Sequence, residues 1–490
     1  MMLFELIKGL DARCIGSDTE VKGLCFDSRN IRQGDLFFAL KGQRHHGIEF
    51  VDDAISRGAC AVVTDREIKG LNVPVVIVKD TLEAMAYISN KFYGEPSKKH
   101  KVIGITGTNG KTTTAWLIYN ILKYAGWRVS LLGTIVYLMP DGTKQKASLT
   151  TPQSIQWQEL LSESVKKGAQ ATVAEISSHG LALKRVDWTE FAVSVFTNLS
   201  RDHLDFHKDM QQYFEAKARL FRILTKGPWV INLDDPYGNI LANEAGERLV
   251  SYSLEQKAMF KAVQWDLNLD GITVWINEGS NSWCIRSPLI GKTNVYNIVA
   301  AVAVARTLQL SWDVIVDAIA NTYPVNGRLQ KVDNPIGLNI IIDYAHTPDA
   351  LQKTLESLKP LTKGRLITVF GCGGNRDKGK RPLMGKFASE MSDLVVITSD
   401  NPRWEDADEI IKDILGGIKS NNYKVIPDRR KAIYEAITEA SPGDTILIAG
   451  KGHEDYQEIK GKRYHFSDYE VVRQVLQEKA ITKDTGGNSV

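Results

Sequence analysis

One stretch constrains this chain more than any other: Lys101-Val-Ile-Gly-Ile-Thr106, followed at once by Gly107-Thr-Asn-Gly-Lys-Thr-Thr113. An apolar run of strand length enters a glycine-rich turn, and a helical pattern from about Lys111 to Tyr124 leaves it. In that setting the glycines let backbone N–H groups close around phosphate oxygens, and the helix N-terminus adds positive potential. Lys111 is then expected to reach the β- and γ-phosphates, with the Thr112 hydroxyl on Mg²⁺. Nucleotide contacts are expected from Gly107, Thr108, Asn109, Gly110, Lys111, Thr112 and Thr113. Ile105 stands where the usual pattern has glycine, so the flanking strand and helix carry the assignment.

Strands alternating with helices imply mostly parallel sheets. Before the P-loop, Leu36–Leu40, Ala61–Thr64 and Val75–Val78 alternate with helical segments at Gly47–Gly58 and Thr81–Phe92, as in a small α/β domain. It closes in the polar hinge Gly94–His100. After the P-loop, apolar runs recur at Val129–Leu132, Thr172–Ile176, Val193–Thr197 and Val230–Leu233. Residues 247–290 are β-rich, and Val295–Leu308 reads as an Ala/Val-rich helix. The turn-rich junction Tyr323–Arg328 precedes a fresh alternation at Asn339–Asp343, Arg365–Phe370, Leu394–Thr398 and Thr445–Ala449. At about 150 residues per domain, the 490 residues fit three units. The expected architecture is α/β throughout. A small N-terminal α/β domain (1–99) precedes a central P-loop ATPase domain with a mostly parallel sheet (100–328) and a C-terminal Rossmann-like domain (329–490).

Lys+Arg 61 against Asp+Glu 58 leaves a net charge of +3, which gives no electrostatic reason to expect nucleic acid or an anionic membrane as partner. The longest charge-free apolar stretch, Thr293–Ala305, is 13 residues, short of the roughly 20 that a spanning helix needs. The opening MMLFELIKGLDARC has neither a basic flank nor an uninterrupted apolar run, so no secretory leader is expected. Five scattered cysteines without a CxxC pair read as reduced thiols, and a cytoplasmic location follows as the expectation.

A P-loop alone says only that a nucleoside triphosphate binds. Glu175 ends an apolar run where open α/β sheets place ligands. Asn198, Asp202, His203 and Asp205 cluster after Val193–Thr197. Carboxylate and imidazole near a P-loop suggest a second cation site. Taken singly, Glu175 reads equally well as a helix cap and His203 as a surface histidine.

Five motifs together resemble one family. Gly107–Thr113, Glu175-Ile-Ser-Ser-His179, Thr197-Asn-Leu-Ser-Arg-Asp-His203, Asn294-Val-Tyr-Asn297 and Asn326-Gly-Arg328 occur in the order seen in Mur ligases, the ATP-dependent amino-acid-adding enzymes of peptidoglycan synthesis. Within the family, Asp343–Asp349, Gly371–Pro382, Asp400–Arg403 and Ala449–Glu454 are similar to the branch that adds the third peptide residue. The resemblance implies that a carboxylate is activated by ATP as an acyl phosphate and then attacked by an amine. It implies catalytic roles for Lys111, Lys217, Glu175, His203 and Arg328. Mg²⁺ would be held by Thr112, Glu175, His203 and Lys217, the last as a carbamate (N6-carboxylysine) formed with CO₂. Carbamylation requires neutral amine, and lysine proton affinity does fall on burial. Taken alone, Lys217 reads as a solvated helix lysine.

The resemblance further implies nucleotide contacts from Asn297, Arg328, Asp343 and His346. Contacts to a UDP-muramoyl-dipeptide would come from Ser28, Gln43, Arg44, His45, Thr150, Thr151, Ser177 and Arg185. An amino-acid seat would be built from Arg376, Asp400, Asn401, Pro402, Arg403, Gly450 and Glu454. Diaminopimelate carries a carboxylate beside its distal amine where lysine has only the amine. Arg403 and Arg376 suit that carboxylate and Glu454 the amine, so meso-diaminopimelate is the expected substrate. The other partners expected are ATP and the UDP-muramoyl-dipeptide, with the protein acting as a monomer. The rival readings are a lysine-adding ligase of the same family, a folylpolyglutamate synthetase-like ligase and a non-catalytic P-loop switch.

Overall fold

The structure is a computed structural model that describes residues 1–42 and 45–485, with the side chains of the closing helix described as far as Lys479. Each of three sheets gathers its own core, and together they form a three-domain α/β architecture. The N-terminal sheet has five strands in the order Ala12–Ile15, Val75–Val78, Ala61–Thr64, Asp35–Phe38, Gly23–Cys25. The stretch expected as one helix from Gly47 starts as a 3₁₀ turn, Gly47–Phe50, and becomes α-helical only over Val51–Ser56. His46 and Glu49 close a capping box that holds the tighter first turn.

The central sheet has eleven strands. Lys101–Thr106 lies in its middle, parallel to Ala171–Glu175 on one side and Val193–Phe196 on the other. Buried on both faces, these strands carry the near-continuous apolar runs that marked them in the sequence. Seven strands, from Val129–Leu132 across to Phe260–Asn268, run parallel. Antiparallel strands finish both edges: Val136–Leu138 with Lys144–Lys146, and Gly271–Glu278 with Asn281–Ser287. The Ala/Val-rich helix Lys292–Thr307 is buried along most of its length and packs on the P-loop helix Lys111–Tyr124.

The C-terminal sheet runs in the order Gln330–Val332, Asn339–Asp343, Thr445–Ala449, Leu366–Phe370, Leu394–Ile397, Tyr423–Val425, parallel except for its first strand. The chain order reverses around Thr445–Ala449, and open α/β sheets bind ligands at the carboxyl ends beside such a reversal. Asp343, Gly371, Asp400 and Gly450 all follow from those ends. A buried bidentate pair, Arg429 to Asp468 at 2.7 Å, ties the closing helix to the sheet, and Arg429 also donates to Ala449 O at 3.0 Å. The hairpin Tyr456–Ile459 with Lys462–His465 had no counterpart in the sequence reading.

Candidate active site

The P-loop turns on two glycines with positive φ, Gly107 at 148° and Gly110 at 85°. A Cβ at Gly107 would lie 1.9 Å from Thr197 Oγ1, and one at Gly110 would lie 2.5 Å from Asn297 Oδ1. No other residue fits either place. Beside the loop opens a cavity of about 540 Å³, walled by central-domain residues and by Arg328, Asp343, His346 and Lys353 across the junction. The expected nucleotide contacts Thr108–Thr113 and Asn297 line it as well.

Lys111 is curled over the loop, donating to Gly107 O and Thr108 O at 2.9 Å each. Thr112 Oγ1 donates to Glu175 Oε2 at 2.8 Å, and Glu175 also accepts from the backbone N–H (2.8 Å) and hydroxyl (3.0 Å) of Thr134. Glu175 therefore ends its strand as a buried, oriented carboxylate and not as a helix cap. Arg328 Nη2 comes within 3.1 Å of Thr112 Oγ1 from the junction, its guanidinium 4.5 Å above the Tyr344 ring. Among the described residues no three His, Cys, Asp or Glu side chains form a metal cage. A fixed hydroxyl and a carboxylate, both hard oxygens, fit Mg²⁺, which keeps waters and takes substrate phosphates as its other ligands.

His203 sits in left-handed backbone (φ 55°), its Nε2 3.4 Å from Asp202 Oδ2. Burial, opposed by Asp202, pushes the imidazole down to about 3, so the ring is a neutral donor of a lone pair at neutral pH. The surface reading of His203 holds in part: its side chain is 42% exposed, while its ring packs edge-on against those of His179 and Tyr213. Lys217 is 1% exposed, over the Tyr213 ring, and donates to Gly107 O at 2.8 Å. Burial first, and Lys111 second, hold its amine well below the usual lysine range. It is not the solvated helix lysine that its sequence neighbourhood implied.

Asp343 and His346 line the cavity, but the Asp343 carboxylate is committed to the junction. It accepts from Leu329 N at 2.7 Å and Ala345 N at 2.9 Å, and so shapes the turn that aims Arg328. Asp349, which the sequence marks only as the end of a motif, has a contact role: its Oδ2 accepts from Asn109 Nδ2 and Ser200 Oγ, both at 2.8 Å, and latches the C-terminal domain onto the P-loop. An acidic residue in the first turn of helix Pro348–Leu358 reads from sequence as a partner for the helix dipole, which hid that role.

Four of the expected dipeptide contacts gather at the carboxyl end of Ala171–Glu175. Thr150 Oγ1 accepts from Thr134 Oγ1 at 3.2 Å. Thr151 Oγ1 donates to Glu175 O and accepts from Ser177 N. Ser177 Oγ caps the next helix at Gly180 N. Arg185 Nη1 donates to Thr151 O at 3.0 Å while its Nε is buried without a partner. Ser28 and His45 lie on the N-terminal domain and do not line the cavity; His45 Nδ1 pairs with Glu49 at 3.1 Å. Gln43 and Arg44 lie outside the described residues.

The expected amino-acid seat converges around Gly450 (φ 114°), where a Cβ would stand 3.2 Å from Asp400 Oδ2. Arg403, just after Pro402, takes left-handed backbone (φ 54°) and donates from Nη1 to Gly374 O at 2.8 Å. Arg376 is exposed. Asn401 Nδ2 donates to Glu454 Oε2 at 2.9 Å. Glu454 is not a vacant acceptor: the ammonium of Lys451, a residue the sequence reading passed over, stands 3.4 Å away. Nothing in a lysine between two glycines signals that its side chain will be buried.

Three family models match the chain: "Mur ligase family, catalytic domain" over residues 20–93, "Mur ligase middle domain" over 105–305, and "Mur ligase, glutamate ligase domain" over 327–452. The chain is 44% identical over 486 residues to the UDP-N-acetylmuramoyl-L-alanyl-D-glutamate–2,6-diaminopimelate ligase of Geobacter metallireducens, covering 94% of each. It is 46% identical over 458 residues to the ligase of that name from Aquifex aeolicus, covering 93% of this chain and 94% of the relative. A solved structure of a ligase with the same name superposes with a TM-score of 0.68 at 34% identity, covering 95% of this chain and 98% of that one. The P-loop cavity, the arginine reaching it from the junction and full-length similarity at this level together leave one assignment: the chain belongs to the Mur ligase family.

Proposed function

We propose that this protein is an ATP-dependent ligase that joins meso-2,6-diaminopimelate to the γ-carboxylate of D-Glu in UDP-N-acetylmuramoyl-L-alanyl-D-glutamate, a cytoplasmic step of peptidoglycan precursor synthesis. The single observation that carries the reading is the reach of Arg328 across the junction to Thr112, which joins the ATP cavity to the domain bearing Asp400, Arg403 and Glu454. No helix among the described residues is long and apolar enough to cross a membrane, which accords with small soluble substrates.

In the chemistry this implies, a D-Glu carboxylate oxygen attacks the γ-phosphorus, the bond to the β-phosphate oxygen breaks, and ADP leaves. The amine nitrogen then attacks the acyl carbon of the acyl phosphate, loses a proton, and inorganic phosphate departs with the bonding pair. Such transfers are governed by positioning and electrostatics. Lys111 and Arg328 offset the charge of the transferring phosphoryl group. Mg²⁺, when bound through Thr112 and Glu175 with His203 at a second ion, supplies the remaining positive charge. Loop backbone at Gly107–Gly110 and the side chain of Asn297 hold the nucleotide. Thr150, Thr151, Ser177 and Arg185 orient the muramoyl-peptide, and Ser28, Gln43, Arg44 and His45 its uridine end. Asp343 and His346 act at the nucleotide through the junction.

Lys217 fits carbamylation, because a buried amine held toward neutrality has the lone pair that attacks CO₂. The resulting anion would lie beside Lys111 and the metal, where an ammonium would be repelled. The units 1–99, 100–328 and 329–490 would serve the nucleotide-sugar, ATP and amino acid in turn, within a monomer.

The test is phosphate release with ATP, Mg²⁺, bicarbonate and the UDP-dipeptide, with diaminopimelate or L-lysine in parallel. Release should require diaminopimelate. Arg403→Ala should lower kcat/KM for it by about 10²-fold, because the carboxylate loses its cation. Equal release with lysine would sink the specificity while leaving the ligase.

A further inference from the structure

Lys451 takes no part in the mechanism above, yet its side chain is 0% exposed in the middle of the amino-acid seat. Its Nζ lies 3.4 Å from Asp400 Oδ1, 3.2 Å from Asn401 Oδ1 and 3.4 Å from Glu454 Oε2, with the Tyr456 ring at 5.6 Å. The backbone leaves it no alternative. Gly450 and Gly452 on either side have φ of 114° and 53°, and Gly452 is packed so tightly on Gly327 O and Tyr344 that a Cβ would come within 2.8 Å of both.

Charge decides what such a residue does. Asp400 and Glu454 bring two negative charges to one buried place, and Lys451 returns one positive charge. Arg429 and Asp468 behind the seat cancel each other. The end of the seat around Asp400, Asn401 and Glu454 therefore carries one uncompensated negative charge, apart from Arg403, which stands 3.9 Å from Glu458, and the exposed Arg376. We propose that Lys451 is a positioning residue, whose ammonium between Asp400 and Glu454 sets this end of the seat at the single negative charge that one substrate ammonium complements, while Arg403 and Arg376 are left to the substrate carboxylate. The inference rests on the reading of this seat as the amino-acid site.

The balance at Glu454 supports it. Burial and the neighbouring Asp400 raise its proton affinity, while Lys451 and the Asn401 amide lower it. Tyr344 from the junction, Tyr456 from the hairpin and Arg429 from its helix also face Glu454, with His453 its chain neighbour. Without the ammonium, two buried carboxylates cannot both stay ionised, and one takes a proton. A protonated Glu454 no longer pairs with an ammonium.

The experiment measures KM for diaminopimelate and kcat from pH 6 to 9 for the full-length protein, Lys451→Met, Glu454→Gln and the double variant. In the unaltered protein KM should be flat from pH 6 to 8. Lys451→Met should raise it about tenfold or more at pH 7 and recover toward pH 9, as Glu454 loses its proton, with kcat within about twofold. Glu454→Gln should raise KM alone but add little to Lys451→Met. A KM unmoved by Lys451→Met, a rise equal at every pH, or additivity in the double variant would overturn the proposal. If Lys451→Met does not fold, the unaltered protein still decides: a KM that climbs as pH falls from 8 to 6 contradicts a Glu454 held ionised. The seat itself is tested separately, since a Glu454→Gln variant with unchanged KM would refute the amino-acid site and leave Lys451 without a substrate to serve.

Discussion

Among the described residues two lysines are withdrawn from water, Lys217 beside the P-loop and Lys451 in the C-terminal domain, and they meet opposite surroundings. Lys217 faces a carbonyl and a second lysine; among the described residues no carboxylate lies within ion-pair distance of it. Lys451 is bracketed by two carboxylates and an amide oxygen. Burial disfavours the charged form of both, but only Lys451 has counter-charges that repay the loss of water. One buried amine therefore lacks a counter-charge, and the other holds an ion pair. A buried lysine means little until its neighbours are named.

The largest effect expected from breaking this contrast is on catalysis. Lys217→Arg places a permanent cation where burial disfavours the charged amine, and should cut kcat for phosphate release by about 10³-fold. With ¹³C-bicarbonate, the unaltered protein should show a carbamate carbon resonance that the variant lacks. An active Lys217→Arg enzyme would remove the case for a reactive lysine.

Stability should separate the two lysines in the opposite sense. Lys451→Met strands two buried carboxylates and should cost about 3 kcal/mol, whereas Lys217→Met removes an unpaired buried amine and should change stability by less than about 1 kcal/mol. Urea unfolding of both variants, compared at constant m, measures the difference; equal losses would erase the distinction.

Acid should weaken the protein through groups whose burial outweighs the partners that favour their charge. Burial holds His346 down to about 4, against about 6.5 in an unfolded chain. Between those values the unfolded state binds the proton and the folded state does not. Stability is therefore complete above about pH 6.5 and declines as pH falls toward 4, with a limiting slope of about 1.4 kcal/mol per pH unit for this group. Thermal melting at pH 7.5 and 5 reads the change, and His346→Gln should flatten it.

The smallest effect is expected at the latch. Asp349→Asn exchanges a carboxylate for an amide toward Asn109, Ser200 and Lys353, and should raise KM for ATP a few-fold, about 1 kcal/mol, with the fold intact. Titrating ATP at saturating amine measures it. An unchanged KM would show that the latch does not reach the nucleotide.

The strands Lys101–Thr106, Val75–Val78, Asn339–Asp343 and Thr445–Ala449 and the helix Thr81–Phe92 stand where apolar runs and their alternation implied. Each is buried on both faces or periodic along one, and such patterns survive any tertiary setting. The hairpin Tyr456–His465 stayed hidden because its strands are exposed or half-buried and carry no alternation. The start of the helix at Gly47 was misread because a 3₁₀ turn and an α-helix share local propensities. Lys111, Thr112 and Glu175 meet at the cavity as a glycine-rich turn and a strand end imply; what they bind there remains part of the proposal. The contacts of Asp349, Thr134 and Lys451 were not readable in the sequence, since their partners lie 240, 41 and 51 residues away in the chain.

The sequence alone determined the three-layered alternation, the phosphate-binding turn and the order of motifs that marks the family. These rest on period, on glycine and on spacing, all local to the chain. Only the tertiary structure decided which buried lysine is paired, that Asp343 serves the junction, and that Arg328 meets Thr112 across it. Charge acts through space and burial, and neither distance nor exclusion of water is written in the order of residues.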